Sequence, residues 1–112
     1  MENEENRIRV LIYPKKERFI AVCLDLCAVA REKTIEESAK SIANLINTNI
    51  SEEIKRGHSF ERMRKKATQD IQDAYNNATT FSYSYCIPTK LKDLLKGIDY
   101  KFYPEEVYIP GT

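Results

Sequence analysis

Arg18-Phe19-Ile20-Ala21-Val22-Cys23-Leu24-Asp25-Leu26 is the stretch on which the fold turns. Every residue between Arg18 and Asp25 is apolar, so its apolar side chains fall on both faces at a period of two. A strand of that kind is central in a sheet and covered on each side. Asp25, the one acid in the run, is expected to end the strand. Working outward, Ile8-Arg9-Val10-Leu11-Ile12-Tyr13 is β-branched and apolar enough for a strand before it. Pro14-Lys15-Lys16-Glu17 reads as the charged turn between the two, with Pro14 supplying a fixed φ. Ala28-Val29-Ala30 is a short third strand that Arg31-Glu32-Lys33 terminates. The connections are too short for crossovers, which predicts an antiparallel three-stranded meander over 8–13, 18–26 and 28–30.

Thr34-Ile35-Glu36-Glu37 is a capping box, in which the Thr34 hydroxyl accepts from the Glu37 amide and the Glu37 side chain reaches back. Ile35, Ala39, Ile42, Ala43, Ile46 and Ile50 then share one helical face, which predicts a helix over 34–50 lying across the sheet. Ser51-Glu52-Glu53-Ile54 restarts or continues it over 51–57, with Gly57 as the stop. Ser59 caps a further helix over 59–77, with Phe60, Met63, Ala67, Ile71, Ala74 and Ala78 inward. Strict alternation places Phe81, Tyr83, Tyr85 and Ile87 on one face of a strand over 80–87. A short helix over 90–96 stops at Gly97, and two short strands follow at 100–103 and 107–109. Pro104 and Pro110 restrict those strands to sheet edges. The expectation is one α+β domain over 1–112, with a core over 8–50 and a helix-and-strand extension over 51–112.

Composition narrows the function more by exclusion than by indication. A chain of 112 residues, 42% hydrophobic and 31% charged, fits one domain with a real core. A formal net charge of +1 argues against nucleic-acid binding by global electrostatics. No apolar run reaches bilayer length, and the polar, acidic start Met1 to Arg7 is unlike a secretory signal, so a cytoplasmic protein is expected. Cys23, Cys27 and Cys86 are odd in number and lack a Cys-x-x-Cys spacing, which favours small buried thiols over disulfides, redox chemistry or zinc. The single histidine, His58, leaves no paired imidazoles for a metal or a relay. Three isolated glycines make no phosphate loop. The pairs Glu36/Glu37 and Glu52/Glu53 fall in first turns of predicted helices, where they complement the dipole. No catalytic, cofactor-binding or metal-ligating residue is expected, and the chain reads as non-enzymatic.

One basic stripe stands out. Lys55 to Lys66 holds six basic residues against one acid, and Arg62, Lys65 and Lys66 share an outward face of the predicted helix. They are the candidate nucleic-acid contacts, as a salt-sensitive phosphate stripe without interleaved aromatics.

Residues 8–50 taken together resemble the HicB-like antitoxin family. The likeness rests on the strand–turn–strand pattern, on Asp25-Leu26 near the end of the second strand, and on Thr34, Glu36 and Glu37 opening the helix. The sequence departs from the family at Cys27-Ala28, where Pro-Gly is frequent, at Glu32, where glycine is common, and at Ser38, where alanine follows Glu-Glu. The resemblance implies a β-β-β-α core, often with a further strand, described as a partial ribonuclease-H-like fold. It also implies a non-enzymatic, cytoplasmic protein, often a homo-oligomer, that binds and blocks a small ribonuclease toxin of the HicA type, or a solitary relative of such antitoxins. A partner that handles RNA is expected to be basic, which suits the 10 acidic against 8 basic residues of 1–54. Tyr100, Tyr103 and Tyr108 are expected to be exposed contact anchors, since tyrosine is enriched at interfaces. Two rival readings remain at this point: a nucleic-acid-binding module built on the basic helix, and a self-associating structural domain.

Overall fold

The computed structural model describes residues 7–26, 28–58, 66–83 and 97–107. In chain order these form β1 (Arg7–Lys15), β2 (Arg18–Cys23), β3 (Ala28–Glu32), α1 (Ile35–Lys55), α2 (Gln69–Asn76), β4 (Thr79–Phe81) and β5 (Gly97–Phe102). The strands make one mixed sheet in the order β3-β2-β1-β5-β4. β1, β2 and β3 pair antiparallel, as the short connections require. β5 lies parallel to β1 from Arg7↔Gly97 to Ile12↔Phe102, and β4 pairs antiparallel with β5 at the far edge.

The missing polar face of β2 has the predicted cause. Ala21 and Cys23 point into a core with Ile8, Val10, Ile12 and the α1 residues Ala39, Ile42, Ile46 and Ile50. Ile20 and Val22 point the other way, to Leu11, Tyr13 and the α2 residues Ile71, Ala74 and Tyr75. Each fully buried isoleucine of the α1 stripe contributes about 1.5–3 kcal/mol by leaving water. Thr34 caps α1 as expected, its Oγ1 accepting from the Glu37 amide at 3.0 Å, while the Glu37 carboxylate reaches back to accept from the Thr34 hydroxyl at 3.1 Å rather than from the Thr34 amide.

Several boundaries differ from the sequence reading, each for a local reason. β2 stops at Cys23, and Leu24-Asp25-Leu26 turns toward β3. Pro14 lies inside β1 opposite Phe19, and the turn is the pair Lys16-Glu17, at φ 47° and 64°. Proline is tolerated there because the parallel ladder with β5 ends at Ile12, so no partner on that side calls on its missing N–H. The two predicted helices over 34–50 and 51–57 are one, α1, running on to Lys55. Ser51 followed by two acids resembles a start signal, but a helix already in progress needs no new cap. Its end is a Schellman motif: His58 N–H donates to Glu53 C=O, and Gly57 N–H donates to Ile54 C=O, both at 2.9 Å. Gly57 holds φ at 79°, a left-handed conformation that a side chain would strain.

The helix predicted over 59–77 does not run as one piece. Lys66, Ala67 and Thr68 are non-helical, and α2 begins at Gln69, with an extended Thr68 that makes no side-chain cap. Residues 59–65, with Phe60 and Met63, lie outside the described residues. β4 stops at Phe81, short of the strand expected over 80–87, and 84–87 also lie outside. Phe81 and Tyr83 nevertheless pack on the same core, as their alternation indicated. The last correction concerns β5, which is interior rather than an edge strand. Pro104 follows Phe102, so it removes no donor from either ladder. Val107 is buried but outside any strand, and the rest of the strand expected at 107–109 lies outside the described residues, as does the helix expected over 90–96.

Candidate protein-interaction surface

Charged side chains gather at one end of the sheet, on the face that α2 covers. Register explains why: Arg9 pairs with Asp99 across β1 and β5, one step from Arg7 opposite Gly97. Arg7 donates to Asp99 through Nε at 2.9 Å and Nη2 at 2.6 Å. Its guanidinium passes 3.3 Å from where a Cβ on Gly97 would stand, so the glycine leaves room for the pair. Asp25, only 3% exposed, accepts from the Arg9 amide at 2.8 Å, from Arg9 Nη2 at 2.8 Å and from Arg9 Nε at 3.3 Å. The hydrogen bond to Asp25 raises the Arg9 pKa above its ordinary value, against the opposing effect of burial.

Tyr75 of α2 completes this group. Its ring carries Lys101 Nζ at 4.4 Å and the Arg9 guanidinium at 5.9 Å from the centroid. Burial, then the field of Asp99, pushes the Tyr75 hydroxyl up to about 12. Tyr13 on the same face is also pushed up to about 12, first by burial and then by Glu106. Both phenols stay protonated over the physiological range. Arg7 and Arg9 each face a carboxylate and Lys101 faces a ring, so the network ties β1, β5, α2 and the Asp25 turn together. Among the described residues no group of three or more His, Cys, Asp or Glu is placed to hold a metal ion. Among the described residues no helix is long and apolar enough to cross a membrane.

The sequence-predicted contact residues separate widely. Tyr100 is not an exposed anchor: at 2% exposure it sits in the α1-side core. Phe81 and Tyr83 lie against its ring at 5.6 and 5.5 Å. An interior β5 forces this, because alternate residues of a covered strand point into the core. Tyr103 is partly exposed at the C-terminal end of β5, its hydroxyl donating to Glu105 Oε2 at 3.4 Å. The Tyr103 amide donates to Ile12 C=O at 2.9 Å and fixes the corner against β1. Pro104, Glu105 and Glu106 are exposed beside it, while Val107 tucks back into the α2-side core. Tyr108 lies outside the described residues.

Lys66 is exposed but belongs to no helix, and Arg62 and Lys65 lie outside the described residues, so the common helical face is not seen. His58, partly exposed, faces Glu53 one turn back at the α1 terminus. Cys23 is buried, as a small core thiol would be; Cys27 and Cys86 lie outside the described residues. The acidic pair Glu105-Glu106 escaped the sequence reading. Its signal is two acids directly after Pro104, visible only once β5 is known to end at Phe102.

No family model, curated protein or solved structure matches this chain.

Proposed function

We propose that the chain is a non-enzymatic protein-binding domain of the HicB-like antitoxin type, which binds and inhibits a small, basic ribonuclease toxin. The observation that carries this reading is the order of elements. An antiparallel meander is followed by a capped helix across one face, and a later strand enters beside β1. That is the β-β-β-α core with a further strand that the resemblance over residues 8–50 implies. The polar chemistry agrees with binding rather than catalysis, since Arg7, Arg9 and Asp25 are engaged in internal pairs. The corner formed by Tyr103, Glu105 and Glu106 is a suitable contact for a basic partner, with two exposed carboxylates beside a partly exposed tyrosine whose ring rests on the α2-side core.

The test is capture of partners on the tagged chain from lysate of its native host, with and without nuclease. A small basic protein is expected to survive nuclease treatment, and its ribonuclease activity to fall when the chain is added. Joint reversal of Glu105 and Glu106 to lysine should weaken that inhibition at least tenfold without changing the melting temperature. Ribonuclease activity indifferent to the chain would refute the reading. Retention of nucleic acid alone, lost on nuclease treatment, would favour a nucleic-acid-binding role instead.

A further inference from the structure

We infer that the basic end of the β1–β2–β3 meander is a contact surface for the phosphate backbone of RNA. Lys15 and Arg18 lie directly opposite each other across β1 and β2. Leu11, Tyr13, Ile20 and Val22 face the α2-side core, so by alternation Lys15 and Arg18 share that face of the sheet. Arg31 pairs with Ile20 and joins them as the diagonal neighbour of Arg18. Lys16 in the turn and Lys33 just after β3 flank the three, and both are exposed.

This arrangement costs the fold twice. Like charges set directly opposite destabilise a strand pair, and Lys15 and Arg18 are so placed. The turn between them holds Lys16 and Glu17 in the left-handed region, at φ 47° and 64°, where asparagine and glycine are the usual residues. Among the described residues none of Lys15, Lys16, Arg18, Arg31 and Lys33 makes an ion pair. Glu32, opposite Phe19, faces α1 and accepts from Ser41 Oγ at 2.9 Å, while Glu105 and Glu106 lie on the β5 side of β1. Glu17, in the turn itself, is the acid left among the cations. A bound anion offsets the repulsion that the sheet leaves standing.

The chemistry of the patch selects the anion. Three of its five cations are lysines, which protein–protein interfaces deplete. A lipid surface calls for an apolar face beside the charges. Among the described residues the nearest exposed large apolar side chain, Val29, lies two residues back along β3. Tyr13 is buried and Phe19 packs toward α1, so neither ring is offered to a base. The contacts are therefore to phosphates and indifferent to sequence. RNA is the nucleic acid brought to this end, a choice that rests on the proposed function, because the Tyr103 corner assigned to the ribonuclease adjoins the same end of β1.

Fluorescence anisotropy of a labelled single-stranded RNA of mixed sequence, titrated with the whole chain, tests the inference. Three to five phosphate contacts give a slope of about −2 to −3.5 in log affinity against log salt. Affinity is then expected to fall roughly 20- to 100-fold between about 50 and 200 mM salt. Arg18→Glu sets opposite charges across β1 and β2, so it should lower affinity at least tenfold while the melting temperature holds or rises. Arg18→Lys should keep affinity within threefold, and Lys66→Glu, away from the patch, should change it less than twofold. No binding at the lowest salt, or equal affinity of Arg18→Glu and the parent chain, would overturn the surface. A tenfold preference between two RNAs of unrelated sequence would overturn backbone contact in favour of base readout. The proposed inhibition is scored separately. A chain that binds RNA but leaves the ribonuclease active refutes that function and keeps the phosphate contacts, while the converse overturns this surface alone.

Discussion

The two faces of the sheet are held by different means. On one, α1 runs from Ile35 to Lys55, capped by Thr34 and closed by Gly57, and buries an aliphatic stripe. On the other, α2 is 8 residues long, starts without a side-chain cap, and depends on Tyr75 held between Arg9 and Lys101. The first face is built from signals a few residues apart in sequence. The second joins side chains that lie far apart in the chain, and its energy is partly electrostatic. A long amphipathic helix can be written locally, whereas a short helix becomes stable only through what it packs against.

The largest test of that contrast is truncation of matched isoleucines. Ile46→Ala, fully buried beneath α1, should cost about 3–4 kcal/mol in denaturant unfolding. Ile71→Ala beneath α2 should cost about 2 kcal/mol, since a short helix relaxes more easily into the cavity. Equal losses would mean that the two faces are equally rigid.

Alkaline pH should attack the α2 face selectively. Tyr13 and Tyr75 both belong to that core, and both are pushed up to about 12 in the folded chain from an ordinary 10.0. Folding favours their neutral forms, so this stability is complete below pH 10 and is lost as pH rises through 12. Each contributes on the order of 2 kcal/mol to the loss. Absorbance at the tyrosinate band should show late-titrating phenols, and Tyr75→Phe should flatten the decline in stability over that range. A decline unchanged by Tyr75→Phe would place the alkaline sensitivity elsewhere.

Smaller effects sharpen the comparison at the helix starts. Thr34→Ala removes the acceptor for the Glu37 amide and should cost about 1 kcal/mol. Thr68→Ala removes no cap bond and should change stability by less than about 0.5 kcal/mol. Smallest is a gain at the β1–β2 turn. Glu17 holds φ at 64°, so Glu17→Gly should stabilise by about 0.5–1 kcal/mol, read as a rise in melting temperature.

What could be read in advance followed the same division. The apolar run from Phe19 to Leu24 marked a strand covered on both faces, and the structure buries its alternate residues in two separate cores. Thr34, the isoleucine spacing and Gly57 mark the first helix, while Ser51 leaves a restart and a continuation both open, and the structure continues the helix through it. Of the candidate contacts, Tyr103 is accessible and Tyr100 is not. Nothing near Tyr100 in sequence announces that its strand will be flanked by β1 and β4.

By itself, then, the sequence determined the α+β class, the antiparallel meander and the capped helix on it, because caps, turns and hydrophobic periods act over a few residues. Only the tertiary structure decided that β5 enters parallel to β1, that Asp25 closes on Arg9, and that β3 ends the sheet beside an apolar groove. Those features depend on segments brought together across the chain, where pairing is selected by the packing of the whole rather than by any local pattern.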